Sequence, residues 1–266
     1  MTDALAPMYR MPVSFGPAPG PRNLPIDKRH LRFERQTTTL SLSALTDADQ
    51  LGRLLPDGFV LRGEQRLTVN VLNLTGIGWL AGRGYNILMV RFPAAWEGGE
   101  RVEGDFVPVV WESMTDPILT GRDELGWCKI NADIPDLREC DGTWTGSAAW
   151  EGYRFFEAQA EGLVATDVNP DPAPLLFQKY VPCTGDWGTA DVSYPTATGN
   201  EAAAPELVSA ERGTGRFAFR AARWEDMPTQ YPIVNALAAL PLADFGPAIL
   251  LRTSGGGDAG GQRILK

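Results

Sequence analysis

Three runs rich in β-branched and aromatic residues, at 67–74, 85–92 and 106–111, follow one another along the chain. Glycines interrupt them at Gly76, Gly78 and Gly82, and again at Glu97-Gly98-Gly99-Glu100. Runs of this length and composition, punctuated by glycine, predict neighbouring strands joined by turns. More strands are expected at 31–43, where apolar and polar residues alternate, and at 175–181, 190–194 and 248–252. Residues 150–165 read as a strand pair or one long strand, and 207–210 with 216–223 as a pair across Gly213-Thr214-Gly215. Asp141-Gly142 is a hairpin signal. Helix signals are few. Thr46 or Asp47 can cap a short helix that Pro56 stops, and Pro232 opens another over 231–240. The predicted fold class is mainly β with minor α: a curved sheet or β-barrel with one or two short helices.

Flanking segments are less regular. Residues 1–30 carry six prolines (Pro7, Pro12, Pro17, Pro19, Pro21 and Pro25) and read as an extended arm. A single domain is expected over 31–253, with a flexible glycine-rich tail at 254–266. The net charge of −9 argues against a nucleic-acid phosphate surface or an anionic membrane as partner. No apolar run reaches the roughly 18 residues of a membrane span. The start of the chain lacks the basic and apolar regions of a signal peptide. Three widely spaced cysteines, Cys128, Cys140 and Cys183, suit a reducing compartment, so a cytoplasmic location is expected. The one histidine, His30, rules out a metal site built on two or three histidines. Gly76 to Gly82 resembles a dinucleotide fingerprint but is one residue too long and leads toward a strand, so it reads as a turn.

The chemistry centres on a lysine. Of 24 basic residues only Lys28, Lys129, Lys179 and Lys266 are lysines, and Lys129 sits among Trp127, Cys128, Ile130 and Ala132. In a strand, Trp127, Lys129, Asn131 and Asp133 share one face. An ammonium on an inner face must be paired or give up its proton. A neutral lysine is a nucleophile toward carbonyls. A free amine has a pKa of about 10.4, and lowering it by about three units corresponds to about 4 kcal/mol of destabilised ammonium. Desolvation by apolar neighbours can supply that. The other reading is a lysine that snorkels from a sheet edge with its head in water.

The run Gly121-Arg122-Asp123-Glu124-Leu125-Gly126-Trp127-Cys128-Lys129 resembles the acetoacetate decarboxylase superfamily, in which Gly-Arg-Glu and five more residues precede a Schiff-base lysine. Lys129 falls on that lysine. The likeness extends thinly over residues 30–252, through the segments 46–56, 84–93 and 235–242. The chain also departs from the pattern. Ile130 stands where the decarboxylases have a second lysine, and Ile87 where they have a glutamate. Their arginine near the first long strand falls near Thr37. The resemblance therefore implies retained amine chemistry without the groups linked to acetoacetate decarboxylation. Divergent members of the superfamily include Schiff-base enzymes that carry out aldol and dehydration chemistry on 2-oxo acids.

On this basis the expected activity is that of a lyase acting on a 2-oxo acid such as pyruvate through Lys129. Acetoacetate-type decarboxylation and a non-catalytic β-barrel that binds a small molecule are the alternatives. No cofactor or metal is expected, and a homo-oligomer is implied. Several groups could serve the lysine. Arg122 could bind a substrate carboxylate or bridge its own loop. Glu112, at the end of an apolar run, could act as acid and base or lie solvated at a strand end. Tyr85 and Tyr231 could each donate a hydrogen bond or proton, or pack as core tyrosines. Trp127 is expected to wall the pocket.

Overall fold

Alternating side chains bury both faces of three consecutive strands, β3 (Arg66–Ile77), β4 (Arg83–Glu97) and β5 (Arg101–Glu112). On β4, Leu88, Val90 and Phe92 enter the main core, while Ile87 and Met89 point into a second, smaller cluster with Leu74, Val107, Val110 and Phe177. A period of two sorts these neighbours onto opposite faces. The computed structural model describes residues 9, 11–15, 20, 24–28, 34–167, 173–199, 205–256 and 261–266. His30, most of the expected arm at 1–30, and the central parts of the loops at 167–174 and 199–205 lie outside the described residues.

The three strands belong to an open, mainly antiparallel sheet of 14 strands among the described residues. β3 pairs on its other edge with β1 (Gln36–Leu45), which pairs in turn with β13 (Ala248–Ser254). A short β2 (Phe59–Leu61) lies on the far end of β4. On the other side, β5 borders two strands in parallel. Its first half meets β10 (Leu175–Pro182), and its last residues meet β6 (Lys129–Asn131). β11 (Ala190–Ala197) and β14 (Arg263–Ile264) complete that edge. Beyond β13 lie β12 (Glu206–Phe219), β9 (Tyr153–Ala165), β8 (Thr143–Trp150) and β7 (Arg138–Cys140). Asp141 and Gly142 take positive φ, 49° and 74°, in the expected tight hairpin between β7 and β8.

The mainly β class holds, with three short α-helices among the described residues rather than one or two: α1 (Ala48–Gly52), α2 (Thr115–Thr120) and α3 (Tyr231–Ala238). Asp47 caps α1 by accepting from Gln50 N at 2.9 Å. Two expectations need correction. Residues 207–223 are not a hairpin, because β12 runs through Gly213-Thr214-Gly215 with a register shift between Arg212 and Thr214. A Cβ at Gly215 would collide with Leu42 and Gln159, so the glycine marks close packing rather than a turn. Nor does the tail stay free over 261–266. β14 pairs with β11, and Leu265, 3% exposed, enters the main core.

Candidate active site

Strand alternation sends Trp111 into the core and its neighbour Glu112 to the opposite face. The Trp111 indole donates to Gln230 Oε1 at 2.8 Å, and Gln230 Nε2 donates to Asn131 O at 3.1 Å. This ties the start of α3 to both β5 and β6. After β5 the chain makes α2, then a π-helical turn over Gly121–Leu125, and returns as β6. Val110 pairs with Lys129 in the parallel register, so Lys129 and Glu112 are diagonal neighbours on one face.

Both side chains are buried, Lys129 at 6% exposure and Glu112 at 0%. Lys129 Nζ lies 2.8 Å from Glu112 Oε1 and donates to Pro117 O at 3.3 Å. The contact with Oε1 is at ion-pair distance but lacks hydrogen-bond alignment, and Oε2 has no hydrogen-bond partner among the described residues. Burial pushes the Glu112 carboxyl above its ordinary value, against the opposing pull of the Lys129 charge. The Trp127 ring centroid lies 5.0 Å from Nζ, and that ring stacks on Phe177 at 4.6 Å. Gly121 packs directly against the end of the lysine side chain. Its φ of −64° suits any residue, but a methyl group there would stand 2.8 Å from Lys129 Nζ and closer still to Cδ and Cε.

Lys129 and Glu112 open on a cavity of about 440 Å³. Tyr85, Trp127, Ile87, Met89, Leu72 and Leu74 line its mostly apolar wall, with Arg35, Thr37 and Gln262 at polar positions. A larger surface hollow across β7, β8, β9 and β12 contains none of these groups. Of the residues singled out from the sequence, Lys129, Glu112, Tyr85 and Trp127 therefore meet in one place.

Arg122 and Tyr231 do not join them. The Arg122 side chain is exposed and donates from Nη1 to Lys129 O at 3.0 Å, so it braces the backbone of the lysine strand from outside the cavity. Tyr231 packs against the main core, on the face opposite the cavity. Cys128, next to the lysine, donates from Sγ to Val107 O at 3.0 Å, and burial pushes its thiol up to about 12.

Sequence reasoning missed Arg35, Trp79 and Gln262 in the cavity wall. The resemblance puts the family's arginine near Thr37, two residues along from Arg35. Trp79, an aromatic set among turn glycines, was a usable signal. Gln262 had none, because the glycine-rich run before it argued for mobility. No group of three or more His, Cys, Asp or Glu suited to a metal occurs among the described residues. None of their helices is long and apolar enough to cross a membrane.

These features define a mainly β protein that directs a buried amine and a buried carboxyl at one ligand-sized cavity. The acetoacetate decarboxylase family model matches residues 10–244, and the chain belongs to that family. No curated protein sequence matches it. Among solved structures, an acetoacetate decarboxylase is similar at TM-score 0.69 and 14% identity, over 88% of this chain and 90% of that one. The acetoacetate decarboxylase of Legionella pneumophila is similar at TM-score 0.68 and 17% identity, over 88% of each chain. The enduracididine biosynthesis enzyme MppR, complexed with pyruvate, is similar at TM-score 0.66 and 16% identity, over 89% of this chain and 92% of that one. At these identities the likeness shows the fold.

Proposed function

We propose that this chain is a Schiff-base lyase in which Lys129 attacks the carbonyl of a 2-oxo acid such as pyruvate and the imine serves aldol or retro-aldol chemistry with dehydration. The observation that carries this is the 2.8 Å contact between Lys129 Nζ and Glu112 Oε1, both buried and both facing the cavity. Moving a proton from Nζ to Glu112 turns a buried ion pair into a neutral pair without changing the net charge, and burial of the carboxyl favours its protonated form. The amine then has a lone pair for attack, and the carboxyl holds the proton that the carbinolamine oxygen needs to leave as water. In the imine, Glu112 is placed to take a proton from the carbon next to the former carbonyl, giving an enamine that adds to an aldehyde. Loss of a second water and hydrolysis of the imine release an unsaturated 2-oxo acid and restore the lysine.

Arg35 is the guanidinium of the cavity wall and takes the role of carboxylate anchor that Arg122 cannot fill from outside. A cavity of about 440 Å³ lies in the range of small-molecule sites and leaves room for a second reactant beside a three-carbon acid. The apolar wall around Ile87 favours an uncharged acceptor. The related fold of MppR has been solved with pyruvate and with its condensation product with imidazole 4-carboxaldehyde, which supports pyruvate as the first substrate to try. Family membership keeps β-keto acid decarboxylation as the second reading. The same proposal includes a cytoplasmic homo-oligomer, whose size light scattering checks.

The test is borohydride trapping with pyruvate and, separately, acetoacetate, read by intact mass and peptide mapping. A pyruvate adduct on Lys129, absent in Lys129→Ala, is the expected result. An acetoacetate adduct with released CO₂ would move decarboxylation to first place. No adduct with either carbonyl on folded protein would replace the enzyme by a cavity that binds without chemistry.

A further inference from the structure

The family match ends at residue 244, yet residues 261 and 262 help to line the cavity. They are delivered by a short strap, 261–266, whose attachment is extensive. Arg263 and Ile264 pair with Ala197 and Thr196 of β11, and Leu265 N donates to Pro195 O at 3.0 Å. The Leu265 side chain is buried in the main core. The main-chain oxygen of Lys266 accepts from Trp96 Nε1 and from Glu100 N, each at 2.9 Å, while Arg263 pairs with Glu100 at 2.8 Å. Such anchoring on two sides fixes the position of the residue just ahead of β14.

That residue is Gln262. Its Nε2 donates to Thr196 Oγ1 at 2.9 Å, which orients the amide and leaves Oε1 turned toward Trp127. Trp127 Nε1 donates to Oε1 at 3.2 Å. The indole so held is the one whose ring stands 5.0 Å from Lys129 Nζ. The stack on Phe177 fixes the plane of the ring, and the bond to Gln262 fixes its rotation within that plane.

We infer that Gln262 is a positioning residue, carried by the strap to hold Trp127 against Lys129 and so to keep the amine desolvated for imine formation. The inference rests on the lyase reading, and its test separates the two. Full-length protein with ¹⁵N-labelled tryptophan gives one indole N–H cross-peak for each of eight tryptophans, and Trp127→Phe assigns the relevant one. Gln262→Ala should shift the Trp127 peak and speed its exchange with solvent. It should slow borohydride-trapped imine formation at saturating pyruvate about five- to tenfold, as loss of one hydrogen bond implies. Gln262→Glu retains an acceptor oxygen and should restore the peak and the saturating rate, while raising KM for an anionic substrate by placing a carboxylate in the cavity. An unmoved Trp127 peak in Gln262→Ala overturns the inference, as does a moved peak with an unchanged trapping rate. If the wild type traps neither pyruvate nor acetoacetate, the lyase reading falls and the catalytic half of this inference with it. The peak alone then decides whether Gln262 holds Trp127.

Discussion

Ile87 on β4 and Glu112 on β5 are direct cross-strand partners, and both face the cavity that holds Lys129. The resemblance that identified Lys129 expected a glutamate at position 87. The cavity therefore keeps a carboxyl beside the lysine, one strand away from the expected position. An apolar side chain opposite Glu112 deepens its desolvation, which is the principal cause of its raised pKa. A carboxyl so placed suits proton storage beside an amine better than ionic attraction to a distant substrate group.

This environment predicts how stability changes with pH. The folded state binds the Glu112 proton more tightly than the unfolded chain, whose carboxyl titrates near the ordinary 4.5. Above 4.5 the folded state then holds more protons, so the free energy of unfolding falls as pH rises toward the folded pKa. The contribution is complete below 4.5 and is lost above it. Glu112→Gln removes that slope. Urea melts of both proteins from pH 4.5 to 8 should show the stability of the wild type, relative to Glu112→Gln, declining with rising pH. A difference that stays flat or grows would contradict the assignment.

Gly121→Ala isolates a steric effect. At φ −64° and ψ −43° alanine meets no backbone penalty, so any cost comes from the new methyl group against Lys129. Overpacking of this kind costs about 1–3 kcal/mol. The variant should lose that much in denaturant melts and should trap pyruvate at least about tenfold more slowly, because Nζ is pushed from its place. Unchanged trapping would mean that the lysine side chain has freedom that its packing denies.

Arg35→Met tests the carboxylate anchor. If Arg35 binds the substrate carboxylate, its loss should raise KM for a 2-oxo acid about ten- to hundredfold, the worth of a charged hydrogen bond, with kcat changed much less. An uncharged ketone, scored by trapping, should be indifferent to the substitution. Equal losses for both substrates would make Arg35 a structural residue, which its 3.2 Å donation to Gly255 O already shows in part.

Which parts of this arrangement were legible in the sequence follows from how local each signal is. Trp127 lies two residues before Lys129, and although β6 starts only at Lys129, a tight turn between them still brings the indole to the amine, where simple alternation puts it. Glu112 was legible because it ends an apolar run, although its 17-residue separation from Lys129 hid the parallel pairing that joins them. Arg122 and Tyr231 misled for the same reason. Each lies close to a marked element, but the twist of the π-helical turn carries the first outside the cavity and the helix face carries the second into the main core. Gln262 depends on β14 pairing with β11 some 66 residues away, and no local pattern encodes that contact.

The surroundings of two cysteines also predict different chemistry for each. Cys128 precedes Lys129, and its Sγ is already committed to Val107 O. Burial raises its thiol to about 12, against the nearby pull of Arg122 and Lys129, so thiolate is scarce near neutral pH. Cys140 lies exposed in β7. Iodoacetamide at pH 8 should therefore modify Cys140 while Cys128 stays unmodified on the same time scale, as read by peptide mass mapping. Unfolding in urea should abolish the difference, because the shift belongs to the folded environment. Modification of Cys128 as fast as Cys140 in the folded protein would show that the lysine strand opens readily, and a strand that opens so easily cannot keep the neighbouring amine dry.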